Sequence, residues 1–193
     1  MAATSSTVGS LPRYSRIAIL LHWLVAALIG VNLLLIWFVD DWPEEWARPI
    51  VNTHKSIGIT VLGLALLRLL WRLGNPPPPL PLDYPRLDRR AASIAHAALY
   101  VVIIALPLSG WMHDSAWKDW PTHPMSLFGL VPWPRIGWIA GLEPGHKEHL
   151  HDVFAAWHRW IGYALYALVA LHVGAALKHQ WLDRKPELQR MMP

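Results

Sequence analysis

The chain has 193 residues, 54% of them hydrophobic, and a net charge of +4 with histidine neutral. It contains 13 Trp and no Cys. The missing thiols exclude thiolate-bound iron–sulfur clusters, Cys-based zinc sites, disulfides and covalent c-type haem, so any haem must be held non-covalently by His or Met. The positive charges sit beside long apolar runs, which is the pattern of membrane topology rather than of nucleic-acid binding.

Residues 1–12 are small and polar and are expected to be disordered. Arg13 and Arg16 then precede IAILLHWLVAALIGVNLLLIWFV, residues 17–39, interrupted only by His22 and Asn32. This run is too long for the apolar part of a signal peptide and no small-residue cleavage site follows, so it reads as a retained first span. An acidic stretch, DDWPEEWARP, leads to a second span over 50–72, with His54 near its start and Arg68 near its end. Residues 74–90, GNPPPPLPLDYPRLDRR, are a proline-rich connector that cannot be helical. A third span covers 91–112 and contains Pro107, which should kink it. Residues 113–150 form a loop rich in Trp, Pro and Gly, in which PMSLFGLVPWP has an interfacial composition. The fourth span, 153–177, is followed by a polar tail from 182 to 193. The expected architecture is all-α: an integral membrane four-helix bundle over residues 13–181.

Ten Lys/Arg residues flank one side: Arg13, Arg16, Arg72, Arg86, Arg89, Arg90, Lys178, Arg184, Lys185 and Arg190. Four flank the other: Arg48, Lys118, Arg135 and Lys147. The positive-inside rule places both termini in the cytoplasm.

Histidine recurs at 151, 158, 172 and 179 in and around the fourth span, with gaps of 7, 14 and 7, so that His151 and His179 fall at its two interfaces. At 3.6 residues per turn all four fall near one helix face. His158 and His172 lie inside the hydrocarbon region, ~21 Å apart along the axis. Ionisable side chains at that depth are costly and usually functional. By depth, His22 and His172 share a cytoplasmic layer, and His54 and His158 an outer one. Each layer offers two imidazoles from different helices, as the axial ligands of two b haems would require. His96 also lies at the cytoplasmic depth, and depth alone does not exclude it. A core histidine bonded to a neighbour is the preferred reading there, because His172 has the repeat spacing behind it. For any single membrane histidine the competing reading is a hydrogen bond to a neighbouring helix. His113, His123, His146 and His149 are expected to be solvated in or beside the outer loop.

Several stretches resemble the bacterial cytochrome b561 family: RYSRIAILLHW, RPIVNTHKSIGITVLGLALLRLLWRL, AHAALYVVIIALPLSGW, SLFGLVPWP and LHVGAALKHQWLDRKPELQRMMP. The resemblance covers nearly everything after residue 13. It implies a four-helix bundle binding two haem b groups, with His22 paired to His172 and His54 to His158 as ligands of the haem irons. His96 matches a position that is not usually an axial ligand. The resemblance also implies electron transfer through the inner membrane with ubiquinone as partner. Some members resemble superoxide oxidases, taking electrons from periplasmic superoxide. The approach to the fourth span, GHKEHLHDVFAAWH, carries extra histidines where a shorter Leu-His-Glu type motif is common.

Haem propionates need cationic or polar partners. Lys55, Arg68 and Arg159 are candidates, with snorkelling to lipid headgroups as the competing role. His179, at the cytoplasmic rim, is a candidate for delivering protons to a quinone. Its competing role is that of an interfacial histidine beside Lys178. The expected partners are the lipid bilayer, ubiquinone and a periplasmic electron donor, with no nucleic acid; a homodimer is left open. The main rival reading is a haem b anchor and electron conduit for a membrane-bound dehydrogenase or hydrogenase. Such subunits tend to be longer, which favours the first reading. A histidine-based transporter is a weaker third.

Overall fold

The computed structural model describes residues 13–79, 84–185 and 187–192; the expectation for residues 1–12 falls outside these. Among the described residues, four long helices, each apolar and long enough to cross a membrane, form the architecture. They are α1 (Arg16–Trp37), α2 (Glu44–Gly74), α3 (Arg86–Ser115) and, after the four-residue helix α4 (Gly137–Ala140), α5 (Pro144–Leu177). The all-α membrane bundle read from the sequence is therefore the observed fold class. Most of the apolar surface faces outward: Leu20, Leu34, Leu70, Val101 and Leu171 are each more than half exposed. In water such a surface would be untenable, whereas in lipid it is the outer wall of the bundle.

The helix ends follow local chemistry. Ser15 caps α1 by accepting from the Ala18 N–H at 3.3 Å. Prolines at 43 and 85 immediately precede α2 and α3, and Pro144 begins α5, where its missing N–H costs nothing. The last three long helices start well before the apolar runs at 50, 91 and 153. Their first turns are polar and helix-forming, so the helices project beyond the apolar zone. Pro107 lies inside α3, which continues through it.

Neighbouring helices in the chain are neighbours in space: α1 packs on α2, α2 on α3, and α3 on α5. One apolar cluster is centred on Val25, Ile57 and Val61. A second, on Ala116, Ile139 and Phe154, joins the loop-side ends of α3 and α5 to α4. Between α3 and α4 a two-stranded hairpin, β1 (Ser126–Leu127) with antiparallel β2 (Val131–Pro132), folds over the loop end of the bundle. Its turn holds Phe128 at φ 53° and Gly129 at φ 71°, the two left-handed residues of a tight hairpin turn. The hairpin is pinned to α2 by Ser56, whose Oγ accepts from the Phe128 N–H at 2.9 Å.

At the opposite end the segment before α1 meets the residues around Arg190. After α5 comes a π-helical turn, Lys178–Leu182, and the tail then folds back under the bundle. The Arg190 guanidinium, on a residue only 1% exposed, donates to the carbonyls of Pro78 and Pro79 and to Glu187. Tyr14 N–H donates to the Arg190 carbonyl at 3.3 Å, and Trp23 Nε1 to that of Met191 at 2.6 Å. The polar tail is thus part of the folded bundle and ties the proline connector to α1.

Candidate functional site

The loop end of the bundle encloses a cavity of about 770 Å³, walled by α1, α2, α3, α5 and the segment from Thr122 to Arg135. His54 on α2 and His158 on α5 both line it. Their ring centres are 6.1 Å apart and their planes nearly perpendicular, at 86°. His158 Nδ1 lies 3.0 Å from the Leu106 carbonyl and 3.1 Å from Ser109 Oγ. A carbonyl can only accept, so Nδ1 carries the proton and Nε2 keeps its lone pair, the tautomer a metal ligand needs. His54 Nδ1 is buried against the Asn32 backbone, away from the cavity.

Toward the terminal end a second group forms. His22 on α1 and His172 on α5 have ring centres 6.2 Å apart at 70°. His22 Nδ1 is also buried without a partner. His96 on α3 joins them, its ring centre 5.5 Å from that of His172. The structure therefore brings together both expected pairs, and adds a third imidazole to one of them.

The pair distances bear on a cofactor. A metal clamped between two imidazoles at about 2.0–2.1 Å from each nitrogen, each nitrogen lying roughly 1 Å from its ring centre, sets the ring centres about 6 Å apart. Both pairs meet that spacing, and the cavity around the first is large enough for a planar macrocycle. The residues present fit haem.

The cationic candidates separate. Lys55 lines the cavity, and its Nζ lies 2.6 Å from Asp114 Oδ1. Arg68 lies in the other half of α2, its guanidinium 5.4 Å from the Tyr100 ring centre. Arg159 is exposed and is not part of the cavity wall. His179 Nδ1 is 2.7 Å from Asp183 Oδ2, and its ring is 5.7 Å from the Tyr84 ring. Donation from Lys178 and His179 holds the Asp183 carboxyl below its ordinary range.

Two charged residues of the cavity wall carry no motif in the sequence. Asp114, with a side chain 4% exposed, bridges Lys55 and Arg135, the latter at 3.0 Å through Nε. Asp114 was legible only as the acid ending an apolar span opposite Lys55, and Arg135 only as a loop cation. Two of the four histidines expected to be solvated, His113 and His123, are half-buried and face the cavity instead. His113 also meets His151 from α5. His146 and His149 are exposed.

The sequence model described as prokaryotic cytochrome b561 matches residues 13–193. Cytochrome b561 homolog 2 of Escherichia coli (strain K12) is 33% identical over 183 residues, covering 93% of this chain and 91% of its own. The probable superoxide oxidase CybB of Yersinia pestis is 29% identical over 189 residues, 94% of this chain and 96% of its own. Cytochrome b561 homolog 1 of the same Escherichia coli strain is 30% identical over 189 residues, 94% and 97% respectively. Four membrane-length helices, opposed histidines at two depths and a match over nearly the whole chain lead to one conclusion. The chain belongs to the prokaryotic cytochrome b561 family, multi-pass proteins of the bacterial inner membrane that carry b-type haem and transfer electrons.

Proposed function

We propose that the chain binds two haem b groups, one between His54 and His158 and one between His22 and His172, and conducts electrons between a periplasmic donor and ubiquinone. The observation that carries this reading is the repeated spacing of 6.1 and 6.2 Å between two imidazole pairs that share α5. His158 and His172 are 14 residues apart, or ~21 Å of rise, so the pairs sit at two depths. The paired imidazoles would hold a haem, and that haem would supply a one-electron couple. The protein's part is to fix the rings, exclude water and place charge. Leu106 and Ser109 orient the His158 ring, and second-shell bonds of this kind tune ligand basicity.

The lysine–arginine excess on the terminal side supports the assignment of that end to the cytoplasm. His54 and His158 then lie on the periplasmic side. Arg48, Lys55 and Arg135 line the cavity there with Asp114 as its one carboxylate, leaving the wall net positive. Such a field favours an anionic donor. Superoxide is that donor in this reading: two superoxide ions give up one electron each and become dioxygen, and one ubiquinone gains two electrons and two protons. Among the proposed propionate partners the geometry favours Lys55 and Arg68 over the exposed Arg159. His179, bonded to Asp183 at the cytoplasmic rim, is proposed to pass protons toward the quinone.

The relatives match over nearly their full lengths, and one is named a probable superoxide oxidase. That supports a self-contained oxidoreductase over an anchor subunit of a dehydrogenase or hydrogenase. Purified protein given superoxide and a ubiquinone analogue should form quinol faster than a haem-free control. Equal rates would refute the superoxide–quinone assignment.

A further inference from the structure

At the terminal end of the bundle the first turns of α3 read RLDRRAASI, residues 86–94. Arg86, Arg89 and Arg90, with Ser93 and Ile94, wall a pocket of about 490 Å³. It shares no residue with the cavity around His54 and His158. Arg86 stands three residues from Arg89 and four from Arg90, so the helix itself brings like charges together, which is destabilising unless an anion lies among them. Asp88 is not part of the pocket wall. Among the described residues, none of the three arginines has a carboxylate within ion-pair distance. Other cations at this end are engaged: Lys178 by Asp183, Arg190 by Glu187, and Arg68 and Arg72 by the Tyr100 ring. The Ser93 hydroxyl donates to the Arg89 carbonyl at 3.0 Å, so the guanidinium groups are the side-chain donors left for a ligand.

An apolar track leads away from this pocket. Leu87, Ile94 and Val101 recur every seven residues on α3 and are 76%, 69% and 66% exposed, so they mark one outward face of the helix. Ile94 belongs to both features: it walls the pocket, and Val101 follows it ~10 Å further into the membrane zone. We infer that the pocket and the track together form a binding site for one anionic phospholipid. Its phosphodiester lies among Arg86, Arg89 and Arg90, and an acyl chain runs along Ile94 and Val101. Guanidinium groups suit the phosphate because they donate in pairs to its oxygens. The apolar track selects a lipid over a free anion, since a soluble phosphate leaves Ile94 and Val101 uncovered. The charge selects an anionic lipid over a zwitterionic one, because a choline headgroup would bring its own cation beside three arginines.

The test is native mass spectrometry of the haem-loaded full chain in detergent, titrated with phosphatidylglycerol or phosphatidylcholine. One phosphatidylglycerol held per chain, at least tenfold more tightly than phosphatidylcholine, is expected. A basic residue beside anionic lipid is worth about fivefold in affinity, so Arg86→Gln/Arg90→Gln should weaken phosphatidylglycerol binding by more than tenfold. Arg16→Gln/Arg184→Gln removes the same charge from exposed positions at the same end and should leave binding unchanged. Equal retention of the two lipids, or equal losses in the two variants, overturns the inference. So does displacement of the lipid by inorganic phosphate at matched concentration, which would mark a site for free anions. If Arg86→Gln/Arg90→Gln loses haem, a photoactivatable phosphatidylglycerol on the unaltered chain decides: labelling between residues 86 and 101 supports the site, and labelling only elsewhere overturns it. None of these readouts depends on the electron donor or the quinone.

Discussion

Gly110 and His158 touch across the α3–α5 interface. A Cβ on residue 110 would lie 3.0 Å from His158 Cε1 and 3.2 Å from its Nδ1. The glycine is what lets the imidazole lie against α3 within reach of the Leu106 carbonyl. Gly110→Ala should push the ring off that carbonyl at a cost of about 1–3 kcal/mol, the usual range for overpacking. Gly110→Val should empty the haem site proposed at His54 and His158 while leaving the one proposed at His22 and His172 intact. Haem counted per chain, with the two haems resolved by redox titration, checks this.

His96 is nearer to His172 than His22 is, at 5.5 against 6.2 Å between ring centres. His22 and His172 nevertheless remain the proposed iron ligands, because their spacing matches that of His54 and His158. His96→Leu should therefore keep two six-coordinate haems, and His22→Leu should lose one. The reverse result in low-temperature spectra would move the ligand from α1 to α3.

Asp114 bridges two cations while almost fully buried. Asp114→Asn keeps the shape but leaves Lys55 and Arg135 without their counter-charge. Removing one partner of a buried ionic cluster typically costs about 3–5 kcal/mol. Lys55 is partly exposed, so the lower end of that range is expected. A fall of several degrees in the thermal midpoint of the detergent-solubilised protein is the readout.

Asp183 ties the end of α5 through Lys178 and His179. Its carboxyl is held below the ordinary range by those two donors. A depressed acid stabilises above its unfolded value and loses that contribution as the pH falls through its folded value. The tie should therefore hold unchanged from neutral pH down to about pH 4, where an unperturbed Asp titrates, and release only below that. Hydrogen exchange of residues 178–185 across this range checks it. Asp183→Asn should raise exchange at pH 7 and abolish the acid step.

Much of this was legible from residues alone. Apolar runs of membrane length around His22, His54 and the pair His158–His172 mark both the spans and the depths, because in lipid hydropathy and helix geometry govern the whole element. The loop between α3 and α5 was not legible. Ser56 pins the hairpin from the middle of α2, and Asp114 meets Arg135 only once the loop has folded back. No periodicity encodes contacts of that kind. The approach of His113 to His151 was hidden for the same reason: each residue belongs to a different helix and lies beyond the apolar run that identified it. The tail looked like a solvated end because Arg190 finds its acceptors on Pro78 and Pro79, more than 100 residues away.

The most direct measurement is haem content and ligation in three proteins: the unaltered chain, His158→Ala and His172→Ala. Two b haems per chain are predicted in the first. Each variant should retain one, with the lost haem on the periplasmic side for His158→Ala and on the cytoplasmic side for His172→Ala. One haem in the unaltered chain, or two six-coordinate haems with native ligands in either variant, would contradict the account.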